Sequence, residues 1–241
     1  MVRSGEVWEG RWKRTTHVAV VTIMSSSKSP QEMILEAAHM KKLDHPYVVQ
    51  LIGASTEEEP MHAVIELPKH GDLLTYLKGR GKGLGQRNLI YMAVQIAGGM
   101  ARLEEQNYVH RDLAAQNILL GEEMVCKVAN FGLAQTCDDK ETIRWRAPET
   151  VKRNQFTIKS DVWSFGIVLY EIITYGRLPY PRMTANQVCD ALQSGYRMPQ
   201  PSGCPDKLYS LMLNCWAEEP GNRLGFDNQM FQLTKLTKYS L

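Results

Sequence analysis

His110-Arg111-Asp112-Leu113-Ala114-Ala115-Gln116-Asn117 sets a carboxylate and a carboxamide five residues apart on one polar loop. Asp112 is placed to accept a proton from a hydroxyl, and Asn117 can reach a metal from the other side of the same loop. A strand pattern, Val125 to Val128, follows and ends in Asn130-Phe131-Gly132. Upstream, Leu89, Met92, Ile96, Met100 and Leu103 recur at helical spacing and predict one long amphipathic helix leading into the loop. Downstream, Ser160 to Tyr175 opens on a Ser-Asp cap and is apolar on nearly every side, as a helix in the middle of a domain would be.

Moving outward, residues 1–67 read mainly as strands with one helix. Val7-Trp8 and His17 to Ile23 are β-rich, and Tyr47 to Gly53 and His62 to Leu67 supply two more strands. Ser29-Pro30-Gln31-Glu32 is a capping box with Pro at the first helical position, and Met33, Ala37 and Met40 form the buried stripe that follows. Pro68-Lys69-His70-Gly71-Asp72 is polar and suits a hinge, and from Leu73 onward the pattern is helical. Leu208, Leu211, Met212 and Cys215-Trp216 predict another helix, with a last short one beyond.

Composition narrows the function classes. The 241 residues are enough for one large domain or two small lobes with real cores. Lys plus Arg is 28 against 26 acidic residues, so the charge balance points to neither a nucleic-acid nor a membrane partner. Five cysteines without metal-ligand spacing read as reduced thiols of a cytoplasmic protein. The most apolar stretch, Val162 to Tyr175, is too short to span a bilayer and contains Glu171. Met1-Val2 lacks the Gly that N-myristoylation needs.

With both halves read, the chain closely resembles the catalytic domain of protein tyrosine kinases, especially the Src-type non-receptor branch. The catalytic-loop spacing carries the resemblance, together with Gly5-Glu6-Val7-Trp8 at the end of a glycine-rich loop and Glu36 at a helix-C glutamate. Ile143-Arg144-Trp145, Ala147-Pro148-Glu149 and Asp161-Val162-Trp163-Ser164-Phe165-Gly166 follow in family order. Cys215-Trp216 and Arg223 match the last helices, where the family Arg pairs with the acid at Glu149. The resemblance implies an α+β, bilobal fold over 1–241: a small β-rich lobe (1–67), a hinge (68–72) and a larger helical lobe (73–241). It also implies ATP and Mg²⁺ as cofactors and protein tyrosine as substrate.

The resemblance further assigns roles. Asp112 would be the base, Asn117 a metal ligand, Arg111 the cation that grips a phosphotyrosine of the segment 130–149, and Glu36 the partner of a strand lysine. Val7, Ala19 and Leu119 match the residues that sandwich adenine; Ile65 falls at the gatekeeper position, with Glu66 and Leu67 as hinge backbone. Leu51, Met40, Phe131 and His110 match a stack of side chains that ties the lobes together.

Several positions depart from that pattern. Val21 stands where the strand lysine belongs, and an isopropyl group cannot hold phosphates. Asn130 stands where Asp should bind the phosphate-bound metal, offering a neutral carbonyl to a hard cation. Val2 replaces the second loop glycine, leaving Gly5 as the third, and the first would precede residue 1. Ala114 and Gln116 occupy the places two and four residues after Asp112, at one or other of which tyrosine kinases carry an Arg, and Thr142 replaces a proline of the substrate platform. The segment from Asn130 to Glu149 is short and contains no tyrosine. The expectation is a pseudokinase acting through protein contacts. The alternatives are an active or weakly active tyrosine kinase, and a truncated product.

Overall fold

The computed structural model describes residues 7–23, 41–55, 61–129 and 140–239. Gly5, Glu36, Met40, Asn130, Phe131 and the helix expected over 29–40 lie outside the described residues.

Four antiparallel strands form the first layer: β1 (Val7–Trp12), β2 (Thr16–Ile23), β3 (Leu51–Ser55) and β4 (Met61–Glu66), in the order β1-β2-β4-β3. The register sets Val7 opposite Val21, Val21 opposite Ala63, and Ala19 opposite Ile65. Side chains alternate along a strand, so Val7, Ala19, Val21, Ala63 and Ile65 share one face. The near-continuous apolar run of β2 reflects cover on both faces, since Val18 and Ala19 are both buried.

The strand expected over Tyr47 to Gly53 divides. The Val128 amide donates to the Tyr47 carbonyl at 2.9 Å and the Val49 amide to the Val128 carbonyl at 2.9 Å. Tyr47 to Val49 therefore joins the helical layer, and contact with β4 begins at Gln50, whose carbonyl accepts from the Glu66 amide at 3.2 Å, with the strand register running from Leu51. This strap presses on the long helix at Gly99, where a Cβ would strike the Tyr47 carbonyl and a Val128 methyl. Only glycine lets that backbone approach so closely.

The helical layer comprises α1 (Leu73–Gly79), α2 (Gln86–Glu105), α3 (Pro148–Arg153), α4 (Ile158–Ile173), α5 (Ala185–Gln193), α6 (Asp206–Cys215) and α7 (Phe226–Tyr239). A hairpin of β5 (Ile118–Leu120) and β6 (Cys126–Val128) sits beside them. The five residues expected along the buried stripe of α2 are all buried. The helix expected from Ser160 starts earlier: Thr157 is its N-cap, accepting from the Ser160 amide, while the Ser160 hydroxyl accepts from the Thr157 amide. Ser160 is thus the third helical residue, and every residue from Ser160 to Ile173 is buried. Gly166 lets α4 close on α6, because a Cβ there would lie 2.6 Å from both Cys215 Cβ and Trp216 Nε1. The last helix is not short, running 14 residues.

The chain passes between layers through residues 67–72. The His70 amide donates to the Leu120 carbonyl (3.0 Å) and the Leu120 amide to the Gly71 carbonyl (2.9 Å), so this passage rests on β5. Asp72 then caps α1, its Oδ1 accepting from the Thr75 amide at 2.9 Å. One hydrophobic core runs through both layers, from Ala19, Leu51 and Ile65 to the residues of α2, α4 and α7.

Candidate active site

The loop is built around the buried carboxylate of Asp161, in the first turn of α4. Asp161 Oδ2 accepts from the His110 amide (2.7 Å) and Oδ1 from the Arg111 amide (2.9 Å). Those two bonds hold Arg111 at φ 72°, a left-handed conformation that costs a non-glycine residue about 1 kcal/mol. The sharp turn so formed presents Asp112. His110 is fully buried beneath it, its Nε2–H donating to the Ala129 carbonyl (2.8 Å) while Nδ1 accepts from the Asp112 amide (3.2 Å). These opposite roles fix one neutral tautomer.

Asp112 and Asn117 lie within hydrogen-bond reach of each other. Asn117 Nδ2 donates to the Asp112 backbone carbonyl (2.6 Å) and to its carboxylate Oδ2 (2.7 Å). The Ala129 amide donates to the Asn117 carbonyl at 3.0 Å. The base candidate, the amide candidate and the residue preceding Asn130 thus form one knot.

On the sheet side, Ala19 and Ile65 are buried, and Val21, Leu67 and Leu119 pack against the common core. Val7 is 58% exposed. The sheet brings Val7, Ala19 and Ile65 to the face expected to meet adenine. Val21 is half-buried on that face between Val7 and Ala63, an apolar side chain in an apolar row. Glu66, expected to lend hinge backbone, uses its side chain here. Its Oε1 accepts from the Gln50 amide (2.8 Å) and from Lys127 Nζ (2.9 Å), tying β4 to β6. Lys13 lies exposed in the turn between β1 and β2.

Asn117 and Asn130 would offer a phosphate-bound Mg²⁺ two neutral carboxamide oxygens, a poor match to a hard cation. Among the described residues no three acids, histidines or cysteines cluster to hold a metal. The remaining metal candidate there is Asn117, whose carboxamide carries no charge.

The segment expected to form a substrate platform includes the turn Lys140–Trp145. In the turn Lys140–Trp145, the buried Arg144 guanidinium donates to the carbonyls of Pro179 (2.9 Å), Tyr180 (3.0 Å) and Met183 (2.6 Å). Arg223, its side chain wholly buried, makes a two-pronged pair with Glu149 at 2.6 and 2.9 Å, as expected. The Arg111 and Arg146 guanidinium carbons lie 6.0 and 5.8 Å from the Phe156 ring centre. Neither Phe156 nor the Lys127–Glu66 link was foreseen, because both contacts join segments far apart in sequence.

Burial also shifts the site's titrations. It pushes the Asp161 and Glu171 carboxyls up to about 7, against the pull of their N–H donors, and pushes His110 down to about 4. Unfolded carboxyls ionise near 4, so between there and about 7 the folded chain binds more protons and loses stability as pH rises. His110 acts oppositely, losing stability as pH falls from about 6.5 to about 4. From pH ~6 to ~8 the two acids dominate, each contributing ~1 kcal/mol. The melting temperature is expected to fall by ~4–8 °C over that interval. Glu171→Gln should remove about half of the fall by calorimetry, and an unchanged slope would refute the assignment.

The model of the protein tyrosine and serine/threonine kinase family matches residues 2–233. The chain is 50% identical over 234 residues to "Tyrosine-protein kinase SRK3" of Spongilla lacustris, covering 93% of this chain and 70% of that protein. It is 47% identical over 242 residues to "Tyrosine-protein kinase FRK" of Homo sapiens, covering 95% of this chain and 48% of the relative. "Tyrosine-protein kinase SRK2" of Spongilla lacustris is 47% identical over 238 residues, 95% of this chain and 66% of the relative. The chain thus spans about half the length of the human relative and about two thirds of the second sponge relative.

Proposed function

Because the chain belongs to the protein tyrosine kinase family, on its Src-type branch, we propose that it is a catalytically impaired kinase domain that acts through protein contacts. We take residues 1–67, 68–72 and 73–241 as its small lobe, hinge and large lobe. The observation that supports this reading is an asymmetry. The parts that present the catalytic loop and brace the large lobe are kept: Arg144 on its three carbonyls, the Arg223–Glu149 pair, and Asp112 on its strained turn. The parts that would hold ATP phosphates are replaced: Val21 packs as an apolar residue of the sheet, and Asn130 offers no charge. Phosphoryl transfer is chiefly positioning and charge neutralisation, so losing the cation and the metal carboxylate removes most of what the protein supplies.

A second reading, weak residual transfer from ATP to protein tyrosine, is favoured by one observation. Asp112 and Asn117 keep their mutual hydrogen bonds, so a hydroxyl brought to Asp112 would still meet a positioned base. Gly5, Glu36 and Arg111 are proposed as remnants of the nucleotide lid, the lysine partner and a phosphotyrosine grip that has no tyrosine left in the segment 130–149. A cytoplasmic location is part of the proposal; among the described residues no helix is long and apolar enough to cross a membrane.

Thermal unfolding with and without ATP plus Mg²⁺ tests the reading. A ligand at 100 times its Kd adds ~2.7 kcal/mol, several degrees for a chain of this size. The expected result is one cooperative transition that ATP–Mg²⁺ leaves in place. A Mg²⁺-dependent rise of several degrees would contradict it.

A further inference from the structure

Glu171 is the charged residue inside the apolar run Val162 to Tyr175, and it is 1% exposed. A buried carboxylate is costly unless N–H groups receive it. Two do, from segments 30 residues apart in sequence, and both reach the same oxygen. Oε2 accepts from the Ala115 amide at 3.0 Å and from Trp145 Nε1 at 2.9 Å. Ala115 opens the tight turn Ala115–Asn117, whose last residue is bonded to Asp112. Trp145 closes the platform turn, and its carbonyl accepts from Ser164 Oγ at 2.7 Å. Ser164 and Glu171 lie two turns apart on one face of α4, so the helix grips Trp145 at its carbonyl and at its indole.

We infer that Glu171 is a positioning residue: one carboxylate oxygen joins the loop that carries Asp112 and Asn117 to the platform turn at Trp145, so that displacement of either is felt by the other. The charged groups around it act elsewhere or weakly. Asp161 receives the His110 and Arg111 amides, Asp112 receives Asn117, and Arg144 is spent on carbonyls. Lys78 on α1 is the charge whose field reaches the carboxylate, and it favours the ionised form. The carboxylate is therefore held chiefly by the two N–H groups it joins. The inference rests on the platform reading, but its test needs neither nucleotide nor peptide.

The test is a pH titration of the ¹⁵N-labelled chain by nuclear magnetic resonance. Five tryptophans give five indole signals, and Trp145→Phe assigns one of them. The Trp145 indole and the Ala115 amide are expected to titrate together, with one midpoint near the value of about 7 that burial gives Glu171. Glu171→Gln keeps an acceptor oxygen but cannot ionise. It should abolish both titrations while leaving both N–H groups slow to exchange. Trp145→Phe, which removes one donor, should raise the midpoint seen at Ala115. Separate midpoints, no titration of either signal in the unaltered protein, titration that survives Glu171→Gln, or an Ala115 midpoint indifferent to Trp145→Phe would each overturn the inference. The unaltered protein alone decides the matter if a variant does not fold. Phosphoryl transfer by the unaltered protein would sink the impaired-kinase reading and leave this one standing.

Discussion

The double variant Val21→Lys, Asn130→Asp is expected to gain tyrosine phosphoryl transfer by on the order of a thousandfold over the unaltered chain. The estimate follows from charge. Each charge-assisted hydrogen bond is worth roughly 1.5–3 kcal/mol, and each ~1.4 kcal/mol off the barrier is tenfold in rate. Val21 is half-buried at a position where a lysine stem can lie along the apolar row of Val7 and Ala63 and carry its ammonium outward. The knot that presents Asp112 is already in place, so the substitutions restore charge to an existing frame. Either single change should achieve little, because cation and metal carboxylate act as a unit on the same phosphates. The check is a single-turnover assay with radiolabelled ATP and a tyrosine peptide. Equal rates for the double variant and the unaltered chain would show that these positions are not what limits transfer.

The second large effect is on stability. Arg223→Met is expected to lower it by ~3–5 kcal/mol, a fall in melting temperature of ~6–20 °C. Besides the two bonds to Glu149, the guanidinium donates to the carbonyls of Ala217 (2.9 Å), Lys159 (2.9 Å) and Glu218 (3.2 Å). It also lies 5.1 Å from the Trp163 ring centre, with Arg197 at 4.7 Å from the same ring. Methionine fills much of the volume but strands a nearly buried carboxylate and three carbonyls. Replacing Glu149 by Gln in the same background should recover part of the loss, since the stranded charge is then gone. Denaturant unfolding of the two variants separates the charge from the packing. A loss under 1 kcal/mol for Arg223→Met would mean that the pair is dispensable.

How much of this was legible beforehand depended on range. The stripe of α2 and the capped apolar α4 were plain because helical periodicity is local, and Asp112 and Asn117 were plain because one loop carries both. The Arg223–Glu149 pair was legible only through family resemblance. Sequence alone places the cap of α4 three residues late, because Ser160 looks like an N-cap when it is the reciprocal partner of Thr157. The strand over Tyr47 to Gly53 was read as one because its residues favour β structure throughout. Which neighbour each half pairs with is decided by Val128 and Ile65, far away in sequence. Glu171 stands out as a charge in an apolar run, and by itself that signal argues only against a membrane span. Its two partners could not be seen without the fold.

The central claim is that the chain keeps the frame of a tyrosine kinase without its phosphate-holding charges. The direct measurement is tyrosine phosphorylation by the unaltered protein at enzyme excess, with ATP, Mg²⁺ and a tyrosine peptide, beside an Asp112→Asn control. The account predicts no phosphotyrosine above that control. Phosphotyrosine that accumulates with the unaltered chain and is lost with Asp112→Asn would contradict it, showing that the loop performs transfer without the lysine and the metal carboxylate.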